Sequence, residues 1–143
     1  YLMSRGFNHV STGDLVREEA TKRGITWNRE NLQALGNKLR EEHGAGYLVR
    51  LALNKFADNV VISGLRNMGE VKEGNLALLV SIDAPGKLRY QWAKVRGKLT
   101  DGVDLATFIT QQQYEMGHEE TGLQLGEVVA AADVSIWNDG TKE

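Results

Sequence analysis

A chain of 143 residues, 41% of them apolar, can bury one sizeable core and suits a single domain over residues 1–143. Seventeen basic against nineteen acidic residues give a net charge of −2, which excludes a global electrostatic footprint for nucleic acid or an anionic membrane; any anion site must be local. The absence of cysteine excludes disulfides and thiolate metal sites and fits a reducing, cytoplasmic setting, and the longest apolar run, Leu76 to Val80, is far too short to span a bilayer.

The chain opens on Tyr1-Leu2-Met3-Ser4-Arg5-Gly6, with no initiator methionine and no signal pattern; it reads as the last turn of a helix with a glycine stop, cut rather than started. The first strand is predicted over Phe7 to Ser11. Ser11 and Asp14 then stand at the spacing of a capping box and start a helix over Leu15 to Arg23. Asn28 starts the next helix, in which Leu32, Leu35 and Leu39 share a face. After the Gly44-Ala45-Gly46 break, Leu48, Leu51, Ala52 and Phe56 share another.

Asn59 to Ser63 (NVVIS) and Leu76 to Ile82 (LALLVSI) are continuous apolar runs without alternation, as expected of parallel strands covered on both faces. Pro85 opens a helix with Leu88, Trp92 and Val95 at helical spacing before a stop at Gly97. Leu105, Phe108, Ile109 and Met116 mark a further helix. Leu125, Val128, Val129 and Ala132 mark the last one, which feeds a strand over Val134 to Trp137. Short β-branched runs separated by helical stretches define an α/β fold, helices covering a mostly parallel sheet.

In open α/β sheets ligands bind beyond the carboxyl ends of the strands, and three places put suitable side chains there: Thr12 with Arg17, Arg66 after Ser63-Gly64-Leu65, and the loop Asn138-Asp139-Gly140-Thr141. Arginines on such a rim suit phosphate, because the forked guanidinium meets anionic oxygens with two hydrogen bonds. Solvated surface arginines are the competing reading. Arg89, Lys94, Arg96 and Lys98 form a fourth group, readable as a solvated face or as a cationic flap over phosphates. His9, His43 and His118 lack partners at ligand spacing, so no metal site is read; no nucleophile with a base beside it is evident, and Trp27, Trp92 and Trp137 read as core or sheet cover.

These residues resemble the P-loop nucleotide kinases of the adenylate kinase and dephospho-coenzyme A kinase type. The segment STGDLVR at Ser11 to Arg17 is similar to the element that opens the acceptor-nucleotide site, which implies that Thr12 and Arg17 contact the acceptor phosphate. Gly64-Leu65-Arg66 resembles the element whose arginine grips that phosphate, one residue shorter here, and Ala131 to Thr141 resembles the last strand and the turn beside the donor adenine. The likeness implies a three-layer α/β/α fold, acceptor-side helices at about 14–57 and a flap at about 96–122 that carries Arg96, supported by Arg89, as catalytic cations. It implies phosphoryl transfer from ATP, with Mg, to a nucleotide or coenzyme precursor.

The departures are specific. The family's first, central strand and its glycine-rich loop with lysine would precede Tyr1, so no tightly bound ATP is expected of this chain and transfer belongs to a longer parent. Ser63 stands where adenylate kinases carry an aspartate that orients magnesium, and Trp92 where relatives carry an arginine. A sheet lacking its central strand has two open edges, at Asn59 to Ser63 and Leu76 to Ile82, which either close up and pair directly or are completed by a second copy of the chain, the arrangement favoured here. A kinase, a non-catalytic binding module derived from one, and a structural domain remain the three readings; adenylate, pyrimidine nucleotides and dephospho-coenzyme A remain open as acceptors.

Overall fold

The computed structural model describes residues 1–56, 58–74, 78–96, 103–116 and 124–140. In chain order they form a single 3₁₀ turn (Met3–Arg5), β1 (Asn8–Ser11), α1 (Thr12–Lys22), α2 (Arg29–His43), α3 (Tyr47–Lys55), β2 (Val60–Ser63), α4 (Met68–Gly74), β3 (Val80–Asp83), α5 (Gly86–Val95), α6 (Leu105–Glu115), α7 (Leu125–Ala130) and β4 (Val134–Trp137). The fold is α/β, and the strands are parallel throughout. They fall into two pairs, however, not one sheet: β1 pairs with β2 from Asn8↔Val60 to Ser11↔Ser63, and β3 with β4 from Val80↔Val134 to Asp83↔Trp137. Among the described residues no hydrogen bond joins β2 to β3.

Local chemistry explains most boundaries. Gly6 closes the opening turn at φ 85°, its N–H donating to the Met3 carbonyl, so the predicted helix end is one 3₁₀ turn. The Asn28 side chain accepts the Asn31 N–H at 2.8 Å and starts α2, and Gly44, at φ 94°, ends it. Ser11 occupies the N-cap of α1 as expected but makes no side-chain cap hydrogen bond, and Asp14 turns instead to Arg17. The capping position is right and its chemistry is not. Helix α4 was not anticipated, although Asn67-x-x-Glu70 announces it: the Asn67 side chain accepts the Glu70 N–H at 2.9 Å.

The core gathers on one side of the β1–β2 pair. Val10 of β1, Leu15, Val16 and Ala20 of α1, Leu35 and Leu39 of α2, and Leu48 and Ala52 of α3 form a buried cluster against which Val60 and Ile62 of β2 pack. Burying a leucine such as Leu39 or Leu48 contributes roughly 1.5–3 kcal/mol. Alternation sends Val10, Val60 and Ile62 into this core, leaving His9, Ser11, Val61 and Ser63 on the other face, where the His9 imidazole meets the Ser63 hydroxyl at 2.9 Å.

The second pair is different. Val80, Ile82, Val134 and Ile136 lie in register on one face and are all exposed, Ile82 at 68%. The expectation that the apolar strands are covered on both faces therefore fails for β3, and β3 is shorter than predicted; Leu76 and Ala77 lie outside the described residues. Trp27 and Trp137 are likewise exposed, at 58% and 59%, and do not serve as core. No helix among the described residues is long and apolar enough to cross a membrane.

Candidate functional site

The parallel pairing brings the carboxyl ends of β1 and β2 together, and each end turns directly into residues singled out by the sequence. Thr12, first residue of α1, is buried, and its hydroxyl donates to the Gly64 carbonyl at 2.7 Å. That bond ties the start of α1 to the loop after β2. Gly64 sits at φ 82°, and an added Cβ there would stand 3.0 Å from the Thr12 hydroxyl oxygen, so both backbone conformation and space require glycine.

Arg17 lies one turn into α1 and folds back toward the helix start, donating from Nη1 to Asp14 Oδ1. Its Nη1 is 3.6 Å, and the Ser11 hydroxyl 3.5 Å, from where a Cβ on Gly13 would be. The Ser11 hydroxyl is also 3.6 Å from the corresponding point on Gly64. Ser11, Thr12, Gly13, Arg17 and Gly64 thus form one cluster over the first turn of α1, where backbone N–H groups and the helix dipole favour negative charge. Arg66 follows on the same loop, exposed at the surface. The structure brings Thr12 beside the loop of Arg66 and sets Arg17 at the same helix start. The Thr12 proton is spent on the Gly64 carbonyl, which makes Thr12 a brace of the rim.

Beneath the rim lies a group not foreseen from the sequence. The Glu70 carboxylate is fully buried; Oε1 accepts Arg40 Nε at 3.0 Å and Nη2 at 2.9 Å, and Oε2 accepts the backbone N–H of Arg66 at 2.7 Å. The Asn-x-x-Glu spacing signalled the cap of α4, but no local pattern joins Arg40 to a residue thirty positions later.

The second rim assembles other predicted residues. Arg89 of α5 reaches Asp83 at the end of β3, Nη1 to Oδ1 3.4 Å, while its Nε is buried without a hydrogen-bond partner. The Asn138 N–H donates to the Asp83 carbonyl at 2.7 Å, setting the loop after β4 beside the same strand end. Asp139 and Gly140 follow, exposed. Arg96 ends α5, its Nε donating to the Trp92 carbonyl at 3.2 Å. Thr141 lies outside the described residues, as do Gly97, Lys98 and the rest of 97–102 and 117–122 of the expected flap, whose described middle is helix α6.

Beside α1, the exposed indole of Trp27 shares an open cleft of about 680 Å³ with Asp14, Arg17, Glu18, Thr21 and Lys22. Among the described residues no group of three or more His, Asp or Glu side chains could hold a metal ion, and the sequence given has no glycine-rich loop ending in lysine.

Fold and rim together define a parallel α/β protein with arginine-bearing loops at the carboxyl ends of its strands. No family model matches the sequence. The chain is 34% identical to a UPF0200 protein of Thermococcus gammatolerans, over 97% of its own length and 77% of that protein's. It is 33% identical to the UPF0200 protein of Pyrococcus horikoshii (96% and 77%) and 32% identical to that of Methanococcus maripaludis strain C6 (92% and 74%). The chain belongs to the UPF0200 family. That name specifies no reaction.

Proposed function

We propose that this chain is the acceptor-binding part of a nucleotide kinase-like protein of three-layer α/β/α type, and that its β1–β2 rim holds the phosphate of a nucleotide or coenzyme precursor. The observation that carries this reading is the cluster at the start of α1: the Thr12–Gly64 bond joins the two strand ends, and Arg17 folds over Gly13 between them. A phosphate arriving there meets helix N–H groups and competes with Asp14 for the Arg17 guanidinium. Arg66 approaches from the adjoining loop. Asn138, Asp139 and Gly140 would lie on the donor side, with Arg89 and Arg96 as the cations nearest the transferring group. Positioning and charge neutralisation, without a covalent protein intermediate, would supply the catalysis.

The donor side favours a second reading for the chain taken alone. With Ser63 at the end of β2 and no glycine-rich loop ending in lysine in the sequence given, binding without transfer is the expected behaviour. ATP and Mg would act in a longer parent.

Calorimetric titration with AMP, CMP, dephospho-coenzyme A and inorganic phosphate tests the reading, with adenosine as the uncharged control. Phosphate-bearing ligands bind and adenosine does not. Arg66→Ala weakens binding by roughly 1.5–3 kcal/mol, the worth of a charge-assisted hydrogen bond. A coupled assay with ATP and Mg shows no turnover by the 143-residue chain. Equal affinity for AMP and adenosine contradicts the acceptor site, and turnover contradicts the division between acceptor and donor.

A further inference from the structure

Glu70 and Arg40 are the most deeply buried charged pair among the described residues that neither touches the rim's expected ligand nor lies on the surface: the Glu70 side chain is 0% exposed and that of Arg40 14%. Their hydrogen bonds are divided in a telling way. Arg40, from α2, places both its contacts on Oε1, which leaves Oε2 entirely to the backbone N–H of Arg66. The carboxylate therefore joins the acceptor-side helix to the loop that carries the rim arginine. The surroundings are rigid. A Cβ on Gly69 would overlap Ala45, and one on Gly46 would overlap Glu73, so α4 is docked without slack on the turn between α2 and α3. Asn67 fixes the start of α4 through the Glu70 N–H, and the Arg66 carbonyl accepts the N–H of Gln124 at 2.8 Å. The backbone of Arg66 is thus held from both of its polar groups.

We infer that Glu70, oriented by Arg40, is a positioning residue for the anion site: it sets where Arg66 stands on the rim and passes any displacement of α2 to it. The inference rests on the acceptor-site reading above. A buried ion pair is weak grounds for stability, since hydrophobic residues of the same volume often serve as well. What an apolar replacement cannot supply is the second carboxylate oxygen. Glutamine keeps the shape but has one acceptor end. With its oxygen toward Arg40, its amide N–H₂ faces the Arg66 N–H, donor against donor, and the loop has to move.

The test is a double-mutant cycle read by AMP titration, with inorganic phosphate as second probe, on the unsubstituted chain, Glu70→Gln, Arg66→Ala and the double variant. Glu70→Gln weakens AMP about tenfold when Arg66 is present and less than twofold when it is absent, because its effect acts through Arg66. Arg40→Lys, which keeps the charge but offers one donor group in place of two, gives a smaller loss with the same dependence on Arg66; it also serves as the readout should Glu70→Gln fold poorly. Equal losses in both backgrounds, or no loss, overturn the positioning role while Arg66→Ala alone still upholds the acceptor site. Failure of the unsubstituted chain to bind AMP or phosphate overturns the acceptor site and the positioning role with it.

Discussion

The two strand pairs are built from similar sequence and meet different fates. NVVIS and LALLVSI are both continuous apolar runs, yet Val60 and Ile62 of β2 pack on a core supplied by three helices, whereas Val80 and Ile82 of β3 face outward. The difference lies in the neighbours. Helices α1 to α3 each present a stripe at helical spacing to the β1–β2 pair. Among the described residues after β3 begins, the buried apolar ones are Ala84, Phe108 and Val128, and none belongs to β3 or β4. An apolar strand announces that it is to be covered; the covering element decides whether it is.

The largest expected consequence is on stability. Leu48→Ala opens a cavity in the fully buried cluster and costs about 2–5 kcal/mol, whereas Ile82→Ala, at an exposed position, stays within about 0.5 kcal/mol. Urea titrations of the two variants compare the halves directly. A loss at Ile82 as large as at Leu48 would mean that its face is covered in solution.

Removing one member of the buried pair comes next. Arg40→Met strands the Glu70 carboxylate and costs about 3–5 kcal/mol, far more than Lys55→Met, whose partner Glu18 is half exposed and worth about 0.2–1 kcal/mol. Equal midpoints would show that the buried pair is worth no more than the exposed one.

The uncovered half should also drive self-association. Each strand of the two pairs has one edge unpaired among the described residues, and β2 and β3 carry no proline or lysine to blunt theirs. We propose that a second copy covers this region. Sedimentation equilibrium then shows concentration-dependent association that Ile82→Lys with Ile136→Lys reduces; a clean monomer at all concentrations removes the proposal.

The smallest effect is on pH dependence, and it arises in both halves. A hydrogen bond from Arg23 holds Glu19 of α1 below its usual carboxyl range, and the Thr107 N–H does the same for Asp104 ahead of α6. Both groups have a lowered folded-state pKa, so their contribution is complete at neutral pH and is lost as pH falls through and below about 4. Melting temperature is therefore flat between pH 8 and 6 and falls below about pH 4. In Asp104→Asn the fall is shallower.

How much of this was legible in the sequence follows from the range of each interaction. Strands and helices were readable from local periodicity, and all four strand cores were found, β4 with both ends in place and the other three with an end displaced by up to four residues. Thr12, Arg17 and Arg66 stood out because strand-end loops carry ligands in parallel sheets. Glu70 did not, because its partner Arg40 is distant in the chain and an Asn-x-x-Glu cap resembles any other helix start. The hydrogen bond of Thr12 was hidden for a similar reason: its acceptor, the Gly64 carbonyl, stands fifty-two positions later in the chain. Exposure of Trp27, Ile82 and Trp137 depends on which helices arrive, and no single segment records that.

The most direct test of the central claim is amide mapping of AMP binding on the ¹⁵N-labelled chain. The phosphate site predicts that the amides of Thr12 to Asp14 and Gly64 to Arg66 shift together with one saturation curve, that inorganic phosphate shifts the same set, and that Val80 to Asp83 and Val134 to Trp137 stay still. Shifts confined to Asn138 to Gly140, or none at saturating AMP, would contradict it.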